Sequence, residues 1–167
     1  VWHIHNGSPP KEKIIMPFSM LLNIVGSSNA KNKQTLWKFI KKFHKELNPK
    51  DHKILDSLTN YAINYFLDRV EPNKNFKKPN QNEKIALKNL INILKEIPQS
   101  TDAEKIQTVI YKTGKENGYS NDLRSWFKLI YQVTFGEENG PRMGFFISFF
   151  GVKETIDLME KKLKMVS

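Results

Sequence analysis

No cysteine occurs anywhere in the chain. That removes disulfide frameworks, thiolate metal sites and cysteine nucleophiles at once. Long apolar runs are missing too. No window approaches the ~18 uninterrupted apolar residues of a membrane-spanning helix, and residues 1–10 lack the charged start and apolar stretch of a signal peptide. The chain reads as soluble, cytoplasmic and unsecreted, with no membrane partner. There is no G-x-x-x-x-G-K-S/T, H-E-x-x-H or G-x-S-x-G, and no G-x-G-x-x-G opening a helix, so nucleotide-binding and hydrolytic sites of those kinds are unsupported. His3 and His5 could share one side of an extended segment, but no further His or Cys stands near to complete a metal site. His44 and His52 sit among lysines with no carboxylate partner suggested by spacing. Adjacent Glu137 and Glu138 point apart on any backbone and make a poor acid/base couple. The first residue is not Met and the last follows an amphipathic segment, which suggests a piece of a longer protein.

What is present is positive charge and helical periodicity. Of 167 residues, 27 are Lys or Arg and 17 Asp or Glu, a formal net charge of +10, enough to attract a polyanion across roughly a Debye length. Lys31, Lys33, Lys38, Lys41, Lys42, Lys45, Lys50 and Lys53 face only Glu46 and Asp51 in that stretch. From charge alone the candidate partners are RNA, DNA or an acidic membrane surface, and the alternative is a solvated lysine-rich face. The 39% hydrophobic and 11% aromatic content is enough for one compact domain spanning 1–167.

No apolar/polar alternation is long enough for a sheet, and the fold class expected is all-α, an irregular bundle of about seven to nine helices. Pro17 starts a short helix that the Gly26-Ser27-Ser28 cluster ends, with Asn29 as a cap for the next. Leu36, Ile40, Phe43 and Leu47 form one apolar stripe. A central helix is predicted over 49–69, with a broad apolar face of Ile54, Leu58, Tyr61, Ala62 and Tyr65. Residues 71–82, polar and rich in Pro and Lys, read as a mobile connection. Helices follow at 83–97, 102–117, 121–135, 141–150 and 153–164, punctuated by Pro98, Gly118, Gly136, Gly140-Pro141 and Gly151.

Residues 131–151, Y-Q-V-T-F-G-E-E-N-G-P-R-M-G-F-F-I-S-F-F-G, gather aromatics and glycines around a single arginine. Gly140 and Pro141 would open a helix whose free N–H groups and dipole lie near Arg142, and Gly144 would let another backbone or a base approach. Phe145, Phe146, Phe149 and Phe150 read mainly as core. Arg142 either reads a ligand or ties the helix to a neighbouring carboxylate.

This segment resembles the class I lysyl-tRNA synthetases, whose C-terminal part carries G-x-x-x-G-P-R-x-G before an aromatic helix and a closing glycine; the matching positions are Gly136, Gly140, Pro141, Arg142, Gly144 and Gly151. W-H-I-H-N-G-x-P-P at 2–10, F-S-M-L-L-N-I-V at 18–25, N-A-K-N-K-Q-T-L-W-K-F-I at 29–40 and D-L-R-S-W-F-K at 122–128 look like the same family. The matches run in order from end to end, although 73–101 carries no motif of the family. The resemblance implies a helix-cage anticodon-binding domain that follows a Rossmann catalytic domain. That domain would hold ATP and Mg through H-I-G-H-like and K-M-S-K-S-like motifs that this chain does not contain.

The fragment itself is thus expected to carry no catalytic site and no cofactor. Its expected partners are the anticodon stem-loop of tRNA-Lys and its own catalytic domain, not DNA. A lysine anticodon is uridine-rich, and uracil offers two carbonyl acceptors. Arg142 and backbone N–H groups of the turn that runs from Gly140 through Pro141 to Met143 are expected to serve them, Trp126 or Phe145 to stack on a base, and Arg124 and Lys128 to meet phosphates. The alternatives are a stand-alone basic helical nucleic-acid-binding protein and a protein-interaction bundle with merely solvated lysines.

Overall fold

The computed structural model describes residues 17–165; His3, His5 and the motif at 2–10 lie outside the described residues. Among those described there are eight α-helices and no strand, in agreement with the periodicity. The chain divides into two compact units, Val1–Asp68 and Arg69–Ser167, and the division falls just before the polar stretch.

In the first unit α1 (Phe18–Ser28), α2 (Lys33–Phe43) and α3 (Lys53–Tyr65) pack Met20, Leu21, Ile24, Val25, Leu36, Trp37, Ile40, Leu55, Ala62 and Ile63 together. Gly26-Ser27-Ser28 closes α1 as the last residues of the helix, as expected. The helix stops at Asn29, which adopts the left-handed conformation (φ 55°, ψ 33°) and donates its N–H to Val25 O; Asn is one of the few residues that tolerate this. The cap of α2 is therefore Asn32, whose side chain accepts from the Thr35 N–H at 2.8 Å. Leu47 is buried, but from the loop after α2.

The broad apolar face expected of the 49–69 helix is also narrower than its composition suggests. Only the stripe Leu55, Thr59, Ala62, Ile63 is buried on α3, whereas Ile54, Tyr61 and Tyr65 are 40%, 59% and 40% exposed. The two tyrosines instead pack with Phe18 on the outside, ring centroids 5.4 and 5.9 Å from it. Asp56 fastens α3 to α2: one carboxylate oxygen accepts from Trp37 Nε1 at 2.8 Å and the other from Lys33 Nζ at 3.0 Å.

The second unit holds α4 (Gln81–Glu96), α5 (Ala103–Gly114), α6 (Leu123–Thr134), α7 (Met143–Phe150) and α8 (Val152–Met165). A π-helical turn, Lys115–Tyr119, prolongs α5 until Gly118 breaks it at φ 96°. Leu87, Leu90, Leu94, Ile106, Ile110, Trp126, Ile130, Phe146 and Met159 are almost fully buried.

Polar composition suggests that 71–82 is mobile, yet residues 74–77 lie against the last turn of α6 and the residues that follow it. Asn75 N–H donates to Gly136 O at 2.9 Å, Lys77 N–H to Gln132 O at 3.2 Å and Lys74 Nζ to Phe135 O at 2.7 Å. Phe76 lies 3.1 Å from where a Cβ on Gly136 would stand, under the Lys162 ammonium at 4.1 Å. Burial pushes the Lys74 ammonium below its usual 10.5, partly offset by Glu137. These partners lie roughly sixty to ninety residues away along the chain, and local composition does not reveal them.

The 71–82 stretch leads into a capping box at the start of α4: Asn80 Oδ1 accepts from Glu83 N–H, and Glu83 Oε1 accepts from Asn80 N–H, both at 2.9 Å. Lys77 Nζ adds a 2.8 Å bond to Glu83. Burial alone would raise the Glu83 pKa, but the Lys77 and Asn80 bonds with the Lys77 charge outweigh it and hold the carboxyl below 4.5. A depressed carboxyl stabilises the fold above its unfolded value and loses that contribution as pH falls through the folded one. Glu83→Gln is accordingly expected to cost about 1 kcal/mol at pH 7. It should also flatten the loss of stability below pH 4.5, as urea unfolding across that range would measure.

Candidate nucleic-acid interface

The site expected from the sequence sits where α7 docks on α5. Gly144 makes the docking possible: a Cβ there would collide with Ala103 O and stand 2.9 Å from both Gln107 N and Cβ. The Gly144 amide donates to Gln107 Oε1 at 2.6 Å. The amide at the start of α7 is thus spent inside the protein.

The helix also begins later than Gly140-Pro141. Its first residue is Met143, and Arg142 is the cap with ψ 116°, because the Pro141 carbonyl is held outside the helix by the Tyr131 hydroxyl at 2.8 Å. Burial, with Tyr111 nearby, pushes the Tyr131 phenol above its usual 10.0, so it stays a donor. Its ring also covers Gly140, where a Cβ would meet Tyr131 Cε1 at 2.8 Å.

Residue by residue, the structure separates the expected set. Gly140 and Arg142 are exposed, Pro141 and Phe145 half-buried, and the Met143 side chain is buried. Trp126 is corrected outright: it is 0% exposed, its Nε1 donates to Ile110 O at 2.9 Å, and its ring lies against Gly114. No base can reach it. Arg124 and Lys128 lie exposed on α6, Lys128 3.7 Å from Glu138.

Arg142 stands 3.3 Å from Glu104, with 55% and 79% of the two side chains exposed. An ion pair that open is worth ~0–1 kcal/mol, so the guanidinium exchanges it readily for another acceptor. Both roles envisaged for Arg142 are thus compatible with its position, and energy favours neither strongly.

Sequence reasoning missed the aromatic surface beside it. Tyr111 lies two turns along α5 from Glu104, about 10 Å by helical rise, and is 37% exposed. Its ring meets Phe127 edge-on with centroids 5.1 Å apart, and Phe127 leads on to Tyr131 at 6.4 Å. The signal was available. Ile106 and Ile110 mark the buried stripe of α5, and Tyr111, one residue past Ile110, falls outside it. Likewise Phe127 follows buried Trp126 and must point elsewhere. Arg142, Tyr111 and Phe127 therefore combine a planar cation with partly open ring faces, the groups that bind unstacked bases.

Among the described residues no cluster of three or more His, Asp or Glu could hold a metal ion, and no helix is long and apolar enough to cross a membrane.

No family model matches the chain, and no solved structure does so significantly. Similar curated proteins do exist. The chain is 40% identical over 164 residues to a lysine-tRNA ligase of Rickettsia felis, and 39% identical over 163 residues to one of Roseobacter denitrificans. It is also 40% identical over 164 residues to the lysine-tRNA ligase of Rickettsia prowazekii. Each match takes in 98% of this chain and 31% of the relative, so the chain spans about a third of the length of the enzymes it resembles. Aligned along nearly all of its own length with those ligases, it is homologous to a partial region of lysine-tRNA ligases.

Proposed function

We propose that this chain is the anticodon-reading region of a class I lysine-tRNA ligase. It works in the cytoplasm with a catalytic domain that uses ATP and Mg to attach lysine to tRNA-Lys. The observation that carries the reading is the placement of Arg142, in an open surface pair, beside the partly exposed Tyr111–Phe127 rings, in a chain homologous to lysine-tRNA ligases. Rings stack on unstacked loop bases at about 1–3 kcal/mol each, and a guanidinium supplies the donors that uracil carbonyls accept. Catalysis lies outside this region in the proposal; its task is to choose the tRNA.

The test is a binding competition among unmodified tRNA transcripts that differ only in the anticodon. The chain is expected to prefer the lysine anticodon. Tyr111→Ala and Arg142→Ala should each lose about 1–3 kcal/mol of that preference. Arg142→Ala should leave Tm nearly unchanged, because it breaks only an exposed pair. Equal binding of all anticodons by the unaltered chain would refute the reading. A variant that melts early but keeps the preference would return Arg142 to the scaffold.

A further inference from the structure

A second basic surface lies on the same unit, and the aromatic site does not account for it. A groove of about 380 Å³ runs between α4 and α8, lined by Lys84, Lys88, Lys95 and Lys164 over a floor of Ile91 and Leu163. Glu160 is the one acid among its described lining residues and is paired with Lys95 at 3.3 Å. Lys84 and Lys88 stand one turn apart on α4, about 6 Å along the axis, a like-charge spacing that costs a helix stability rather than adding it.

We infer that this groove binds the sugar–phosphate backbone of an RNA stem independently of sequence, setting the register in which the Arg142–Tyr111 surface reads the loop. The inference rests on the RNA-binding reading given above and adds a second, differently built contact to it. Charge complementarity selects the occupant: four ammonium groups against one carboxylate suit a polyanion. The lining chemistry selects which part of the RNA. None of the described lining residues is aromatic and none is an arginine, so the groove offers neither a stacking face nor a planar fork for a base edge. Lysines on flexible stems act as point charges toward phosphate. The apolar floor of Ile91 and Leu163 leaves room for ribose carbons between them.

The double variant Lys84→Gln/Lys88→Gln tests this, with the affinity of the full chain for tRNA transcripts measured across a salt series. The expected result is weaker binding by a similar factor for every anticodon, and a slope of log affinity against log salt smaller by about 2. The lysine-anticodon preference should persist, with Tm unchanged or raised. Unchanged affinity and slope in a chain that still binds tRNA would overturn the groove while leaving the anticodon reading intact. Loss of preference without change in slope would overturn it too. If phosphatidylserine vesicles were released by the double variant while tRNA binding held, the groove would belong to a membrane surface. A chain that bound no tRNA at all would remove both readings together.

Discussion

Trp126→Ala is expected to lower the unfolding free energy by roughly 3–5 kcal/mol. The indole is completely buried between Ile110 and Gly114 on α5 and its own helix α6, with the Tyr119 ring centroid 5.2 Å from its own. A milder variant separates the contributions. Trp126→Phe keeps most of the apolar volume but removes the bond that Nε1 donates to the Ile110 carbonyl, which should cost about 0.5–1.5 kcal/mol. Urea unfolding of both variants checks the pair of values. The same experiment decides between packing and stacking at this position. If Trp126→Phe proved as stable as the parent yet lost its preference among anticodons, the indole would be a reading group despite its burial.

The largest effect on binding should come from salt rather than from any one residue. Residues 1–68 carry ten Lys and Arg against five Asp and Glu, and 69–167 carry seventeen against twelve, so each unit contributes an equal excess. A complex that neutralises six to ten phosphates loses about 10³–10⁵ in affinity between 50 and 200 mM salt, because the displaced counterions lose their release entropy as the bath fills. A steep decline of this kind is expected for tRNA, measured by filter binding or fluorescence anisotropy. Affinity that stayed flat across that range would leave the lysines as solvated surface and favour a protein-interaction bundle.

The elements legible in the sequence are those whose information is local. The helix α4 was visible from a 3.6-residue repeat and ends where Pro98 follows Ile97, although its Asn80–Glu83 box, equally local, went unread. Helix starts failed where a distant group intervened. Gly140-Pro141 looks like the first turn of α7, but the Tyr131 hydroxyl, ten residues back, takes the Pro141 carbonyl and moves the helix start to Met143. The 71–82 stretch looks mobile because nothing near it in sequence is apolar enough to hold it; Phe135, Gly136 and Lys162 hold it from sixty to ninety residues away.

The candidate site divides along the same line. That an arginine stands beside a Gly-Pro bend and close-packing glycines was readable from 136–151, since backbone freedom and ring constraint are properties of single residues. Which aromatic faces outward was readable only in part: the α5 stripe of Ile106 and Ile110 leaves Tyr111 outside it, but how deeply Trp126 is buried is set by groups on another helix. The fates of the two rings depend on Gly114, whose missing side chain admits the indole to the core, and on Phe127, which meets Tyr111 at the surface. By itself the sequence determined an all-helical, cysteine-free, basic chain with family motifs in order, because composition and periodicity are summed over neighbours. Only the tertiary structure decided which rings are buried, which amide is already bonded and which lysines share a groove, because burial and pairing are properties of residues that the chain brings together from far apart.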